Sequence, residues 1–294
     1  MSEQTITTIT EPQEYTIPRP DISHLVTEDD TPVDNLFSEK QMRLLADCLY
    51  NGWSGPSDGR PFVAMTNVGL YYGLRTPALV PDLLLSIGVT PPDDPAPKEN
   101  RSYFVWEYGK APDLVVEIVS NRKGNELGDK LLDYALAGIG YYVVFDPFQA
   151  LGQERLRVFG RQANGFREIS ERWLPGVELG LTLWEGPYEE WPPTLWLRWV
   201  DKTGALVATG AEAFAAASER AAEADQRAVE ASQQAAEANQ RAAQASQQAA
   251  EASQRAAEAD QRAAEAERQT SQERSQREEL LAKLRERGID PEKL

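Results

Sequence analysis

The run APDLVVEIVS at residues 111–120 constrains this chain more than any other stretch of it. Leu114, Val116 and Ile118 alternate with Val115 and Val119, so both faces are apolar, the pattern of a strand covered on both sides in a parallel or mixed sheet. Glu117 interrupts that pattern at its centre. An ionised carboxylate in such a place is costly unless it is paired, hydrogen-bonded or holding a metal, so the strand raises the question of what Glu117 faces. After the polar turn NRKGN, the stretch ELGDKLLDYALAG has helical spacing that sets Leu127, Leu131, Tyr134 and Gly138 on one side, and YYVVFDP is a second buried strand. A strand, a helix and a second apolar strand in this order predict a right-handed βαβ crossover.

The rest of the body builds on that unit. Residues 1–35 hold Pro12, Pro18, Pro20 and Pro32 among Thr, Glu and Asp and read as an extended arm. Ser38 followed by Gln41 makes a capping-box pattern ahead of MRLLADCLY, which predicts a helix over about residues 39–50. FVAM, GLYYG, ALVPDLLLSIG at 78–88 and SYFVWEYG read as strands before the crossover. RLRVFGR, GFREIS, VELGLTLWEG and LWLRWVD read as further, antiparallel strands after it, with a turn at DKTG. The expected fold class is α+β, or mixed α/β, around one central sheet over residues 36–210.

From Ser218 to Ala266 the sequence repeats every seven residues, with Ala at the fourth and seventh places of all seven copies. These 49 residues predict a helix of roughly 75 Å within a tail spanning residues 211–294. Alanine forms helices well but buries little area, so a lone solvated helix and a weak coiled coil both satisfy the pattern. ELLAKLRERGIDPEKL then restores Leu280, Leu281 and Leu284 and predicts a helix end at Gly288 and Pro291.

Charge and composition narrow the function. The net charge is −17, and counting 12 basic and 17 acidic residues from Ala211 onward leaves a body of −12. This argues against tight non-specific nucleic-acid binding, although Arg122, Lys123, Arg155, Arg157 and Arg161 provide some local positive charge. The single His24 offers too few parts for His-based metal or triad chemistry, and the single Cys48 fits a reducing compartment. With no basic-then-apolar leader in MSEQTITTITEPQEY and no run of about 18 apolar residues, the expectation is a cytoplasmic protein with no membrane partner.

Two residues could answer for Glu117. Asp113 lies on the same strand face, but four residues place it roughly 13 Å away, too far to share an ion bound at about 2.1 Å. Asp82 interrupts a second apolar strand, and neighbouring strands lie about 4.8 Å apart, so Asp82 and Glu117 could converge on one cation. Lys130, between Leu127 and Tyr134 at the rim of the helix's apolar face, alone reads as a snorkelling side chain. Together with the two carboxylates it forms a hard-cation site plus a positive group able to position water or stabilise charge on phosphate oxygen. A buried Glu117–Lys130 salt bridge is the structural alternative.

These residues also resemble a known family. PDLVVEIVS, Lys130, Tyr134 and AGIG, YYVVFDP, the preceding VPD at 80–82, and the following LPGVELGLTLWEG and LRWVDKTGALVAT are similar to the Uma-two-type restriction endonucleases abundant in cyanobacteria, of the PD-(D/E)XK nuclease superfamily. The resemblance covers about residues 36–210 and extends to the ragged Ala/Glu/Arg tail. It implies a restriction-endonuclease-like mixed sheet flanked by helices and a Mg²⁺-dependent (or Mn²⁺-dependent) endonuclease acting on DNA, with homodimers common among nucleases that cut both strands. In the superfamily an Asp, then Glu-x-Lys on the next strand, bind the ion and activate water. Here the Lys place is Val119, so the lysine maps onto Lys130, the carboxylates map onto Asp82 and Glu117, and the backbone carbonyl of Ile118 becomes an additional metal ligand. Glu39 is a candidate for a further acidic position, or simply a dipole partner in the first turn of its helix. The alternative function is a catalytically inactive protein that keeps the fold and recruits a partner through its helical tail.

Overall fold

The computed structural model describes residues 19–25, 35–121 and 125–286, and the chain divides into two compact units, Met1–Ala216 and Ala217–Leu294. The first unit opens with α1 (Leu36–Asp47), which continues through a π-helical turn at Cys48–Gly52. Asn35 caps α1, its Oδ1 accepting from Ser38 N at 2.9 Å, so the helix starts earlier than the Ser38 capping box predicts and buries Ser38 inside its first turn. Gln41, the other half of that expected box, is spent elsewhere in the fold.

Next come β1 (Phe62–Thr66), β2 (Leu70–Tyr71), β3 (Leu83–Ile87) and β4 (Tyr103–Phe104). Where SYFVWEYG reads as a strand, only its first part is extended: α2 (Val105–Tyr108) follows at once and ends at Gly109, whose φ of 73° is the left-handed geometry that stops a helix. The crossover follows as β5 (Leu114–Ile118), α3 (Asp129–Ala137) and β6 (Tyr141–Phe145), and then β7 (Leu156–Gln162), β8 (Gly165–Ile169), β9 (Trp173–Leu174), β10 (Leu179–Tyr188) and β11 (Trp191–Val200). α3 is shorter than its apolar spacing predicts: Leu127 lies outside it and is exposed.

Six strands form the main sheet in the order β1-β3-β5-β6-β7-β8. Its β5–β6 pair is parallel and the other four are antiparallel, so the β5–α3–β6 crossover sits at the centre of a mixed sheet. β9, β10 and β11 form a separate three-stranded sheet and β2 pairs with β4, so VELGLTLWEG and LWLRWVD lie outside the central mixed sheet. The reason is visible in the packing. Leu179, Leu181, Trp196, Leu197 and Trp199 from the β10–β11 hairpin cover the sheet face carrying Leu83, Leu85, Leu114, Val116 and Ile118, and α1 joins the same cluster. Gln41 ties α1 to the hairpin by donating from Nε2 to Leu197 O and accepting from Leu197 N, both at 2.9 Å.

The opposite face packs Leu84, Val115, Val119, Tyr142 and Val144 against Tyr134 and Ala137 of α3. β5 is therefore buried on both faces, and the pleat turns Glu117 toward α3 together with Val115 and Val119.

α4 (Gly210–Glu286) is one helix of 77 residues with no buried residue. Thr209 and Glu212 cap it reciprocally: Glu212 N donates to Thr209 Oγ1 at 3.1 Å and Thr209 N donates to Glu212 Oε2 at 2.7 Å. Glu212 also pairs at 2.7 Å with Arg198, whose side chain is 1% exposed. Within the second unit, ion pairs four residues apart line the helix at Glu223–Arg227, Glu237–Arg241, Glu258–Arg262 and Glu279–Lys283. The expected stop at Gly288 and Pro291 lies outside the described residues. Among the described residues no helix is long and apolar enough to cross a membrane.

Candidate active site

Because β3 and β5 pair antiparallel with Leu83 opposite Val116 and Leu84 opposite Val115, one further step of the register brings Asp82 opposite Glu117. Asp82 lies just before β3, where the strand's side chains alternate so that it shares the face of Leu84. Its Oδ2 accepts the peptide N–H of Ile118 at 2.6 Å, fixing the carboxylate at the carboxyl end of β5.

Glu117 is 3% exposed, and both of its oxygens are engaged. Lys130 Nζ donates to Oε2 at 2.9 Å and the Tyr134 hydroxyl donates to Oε1 at 2.5 Å. Lys130 and Tyr134 are four residues apart, one turn of α3, so a single helix face brings ammonium and phenol to the same carboxylate. Burial pushes the Glu117 carboxyl above its ordinary range in spite of Lys130 and Tyr134. Burial also works against the Lys130 charge, but Glu117, Glu126 and Asp82 together outweigh it and hold the ammonium above its ordinary value. Tyr134 is held well above the usual phenol range, first by burial and then by the Glu117 charge, so it serves as a donor.

A third carboxylate, not singled out by sequence, completes the cluster. Glu126 is 4% exposed, with Oε1 3.7 Å from Lys130 Nζ. The Tyr142 hydroxyl donates to its backbone carbonyl at 2.9 Å and anchors the residue under the sheet. The signal was present in the sequence as an acid four residues before a lysine, a spacing that reads equally as an ordinary surface pair. In the sequence Tyr134 is an apolar-face residue and part of the family resemblance, and the role of its hydroxyl emerges only from its hydrogen bond to Glu117.

Other candidates stand apart. Asp113, at the opposite end of β5, accepts from Ile87 N at 2.7 Å and from Lys110 Nζ at 2.6 Å, a strand-start role. Glu39 pairs with Arg43 one turn along α1, on the other face of the sheet from Glu117. Arg155 and Arg161 donate to Gln149 Oε1 at 2.9 Å and Ala135 O at 2.6 Å, and Arg157 pairs with Glu168 at 3.1 Å. Arg122 and Lys123 lie outside the described residues. His24 contacts Leu74 O at 3.1 Å at the surface. Cys48 is fully buried, with its thiol pushed up to about 12 by burial.

The donor set fits a hard divalent cation in kind: Asp82, Glu117 and Glu126 carry oxygen donors, all three act on one ammonium, and one buried Glu126 oxygen has no hydrogen-bond partner among the described residues. Among the described residues no group of three or more His, Cys, Asp or Glu side chains is gathered closely enough to hold an ion as it stands. Lys130 and Tyr134 between them hold both oxygens of Glu117.

A mixed sheet with a central βαβ crossover defines an α+β protein, and paired acids and a lysine gather at the carboxyl end of its middle strand. The family described as Uma2, putative restriction endonuclease, matches residues 8–183, and the chain belongs to that family. No curated protein matches the chain.

Proposed function

We propose that the protein is a Mg²⁺-dependent endonuclease that hydrolyses DNA phosphodiester bonds, Mn²⁺ serving in its place, with Asp82, Glu117 and the backbone carbonyl of Ile118 holding the ion. The observation that carries this reading is the excess of negative charge around one ammonium: the buried Glu117 and Glu126 and the half-buried Asp82 all act on Lys130. Such an excess is unfavourable in a low-dielectric site and is relieved by a divalent cation. A bound cation would supply an activated water and neutralise phosphate charge. Asp82, steadied by the Ile118 N–H, and Glu117, steadied by Tyr134, are the chain's own contribution to placing it. Lys130, 33% exposed at the rim, is the group able to orient water or stabilise charge developing on a phosphate oxygen.

The test is incubation of the purified protein with single-stranded, double-stranded and branched DNA in Mg²⁺, Mn²⁺ or EDTA. The expected result is cleavage that needs the metal and disappears on chelation and in Glu117→Gln. A second reading follows from the full occupation of Glu117 by Lys130 and Tyr134: a nuclease fold that no longer cuts and recruits a partner, or a second copy of itself, through α4. Absence of cleavage on every substrate and metal, from a folded protein, selects this second reading.

A further inference from the structure

Lys130 stands between two buried carboxylates rather than beside one. Its Nζ is 2.9 Å from Glu117 Oε2 and 3.7 Å from Glu126 Oε1, while Glu126 Oε2 is buried without a hydrogen-bond partner among the described residues. A carboxylate oxygen left in this condition is costly, so Glu126 is under-served in the arrangement in which Glu117 is fully served. A cation at Glu117 would reverse the balance, because an ammonium and a divalent ion repel each other across one carboxylate.

We propose that Glu126 is the positioning residue that receives the Lys130 ammonium when a divalent cation takes Glu117, so that lysine and ion exchange places instead of competing. This rests on the reading of Asp82 and Glu117 as cation ligands. The exchange requires little movement, since both carboxylates already lie within ion-pairing distance of the same ammonium. Tyr134, a neutral donor to the other oxygen of Glu117, stays in place throughout, and the Tyr142 hydroxyl keeps the Glu126 backbone fixed. Lys130 then remains held at the site, near enough to act on a substrate phosphate, with its hydrogen bond to Glu117 released.

The experiment is a double-mutant cycle on Mn²⁺ binding by the full chain without DNA, read by titration calorimetry on the wild type, Glu126→Gln, Lys130→Ala and the double variant. Glu126→Gln is expected to weaken Mn²⁺ binding by about tenfold to a hundredfold when Lys130 is present. In the Lys130→Ala background most of that loss should vanish, because there is no ammonium left to re-house. An equal loss in both backgrounds would make Glu126 a direct ligand and overturn the proposal, as would unchanged affinity in Glu126→Gln. If Glu126→Gln does not fold by circular dichroism, Glu126→Asp takes its place, withdrawing the carboxylate by one methylene. It must weaken binding only where Lys130 is present, and a loss independent of Lys130, or no loss, overturns the proposal equally. Folded wild type and Lys130→Ala proteins that both bind no Mn²⁺ would remove the cation reading itself, a failure visible before any change at Glu126.

Discussion

Lys130 and Glu117 are joined across the crossover: the ammonium on the first turn of α3 lies 2.9 Å from the carboxylate near the carboxyl end of β5. The contact makes one charge depend on the other. Glu117 is nearly inaccessible to water, whereas Lys130 is a third exposed, so removing the lysine strands a buried anion while removing the glutamate leaves a cation that can turn to solvent or to Glu126.

That asymmetry predicts a pH-dependent penalty in Lys130→Ala. Glu117 already titrates above its unfolded value, and losing Lys130 raises it further. A carboxyl with a raised folded pKa binds its proton more tightly when folded, so stability falls as pH rises through the unfolded value toward the folded one. Urea midpoints of Lys130→Ala relative to wild type should therefore be much lower at pH 7 and recover toward pH 4.5. A deficit that does not shrink on acidification would mean that Glu117 is not the stranded group.

Tyr134→Phe removes only the hydroxyl that donates to Glu117 Oε1 at 2.5 Å. The ring and its packing against Tyr142 remain, so the expected loss is about 1–3 kcal/mol, the cost of a buried acceptor left without its donor. Equilibrium denaturation measures it, and a loss below about 0.5 kcal/mol, the floor for a typical net hydrogen bond, would show that water or Lys130 replaces the phenol.

Gln41→Leu should be worse than its similar volume implies. The amide satisfies both the N–H and the carbonyl of Leu197 inside the cluster joining α1 to β11, and leucine satisfies neither. Each orphaned backbone group costs about 1–3 kcal/mol, so the midpoint should fall sharply. Gln41→Glu, which keeps the acceptor and loses the donor, should also be destabilised, and a near-neutral effect of both would refute the bridging role.

The position of a tail truncation should matter. A chain ending at Ala216 keeps Glu212 and should melt cooperatively, because none of the described residues beyond that point is buried. A chain ending at Gly210 loses both the cap on Thr209 and the carboxylate paired with the buried Arg198 guanidinium. It should be less stable than the longer truncation by about 2 kcal/mol or more, the sum of a lost cap and a lost partner. Equal melting of the two truncations would deny Glu212 this role.

What the sequence determined by itself is periodic. The two-sided apolar run at 114–119, the helix and the second buried strand dictate the central crossover, and seven Ala-rich heptads dictate one long helix, because local spacing alone chooses between strand and helix. A carboxylate inside a buried strand, and a lysine at the rim of the next helix, are also visible there, since residue type and phase suffice to notice them. Partnership is not. That Asp82 spends one oxygen on the Ile118 N–H, that Glu117 divides itself between Lys130 and Tyr134, and that Glu126 is left half-satisfied all follow from strand register and from the seating of α3 on the sheet. The same holds for Gln41, whose amide bonds the backbone of Leu197, and for the β10–β11 hairpin, which lies outside the main sheet and covers its apolar face. Contacts between residues 13 to 156 positions apart decide these matters, and no local pattern encodes a hydrogen bond whose other half lies on a distant element.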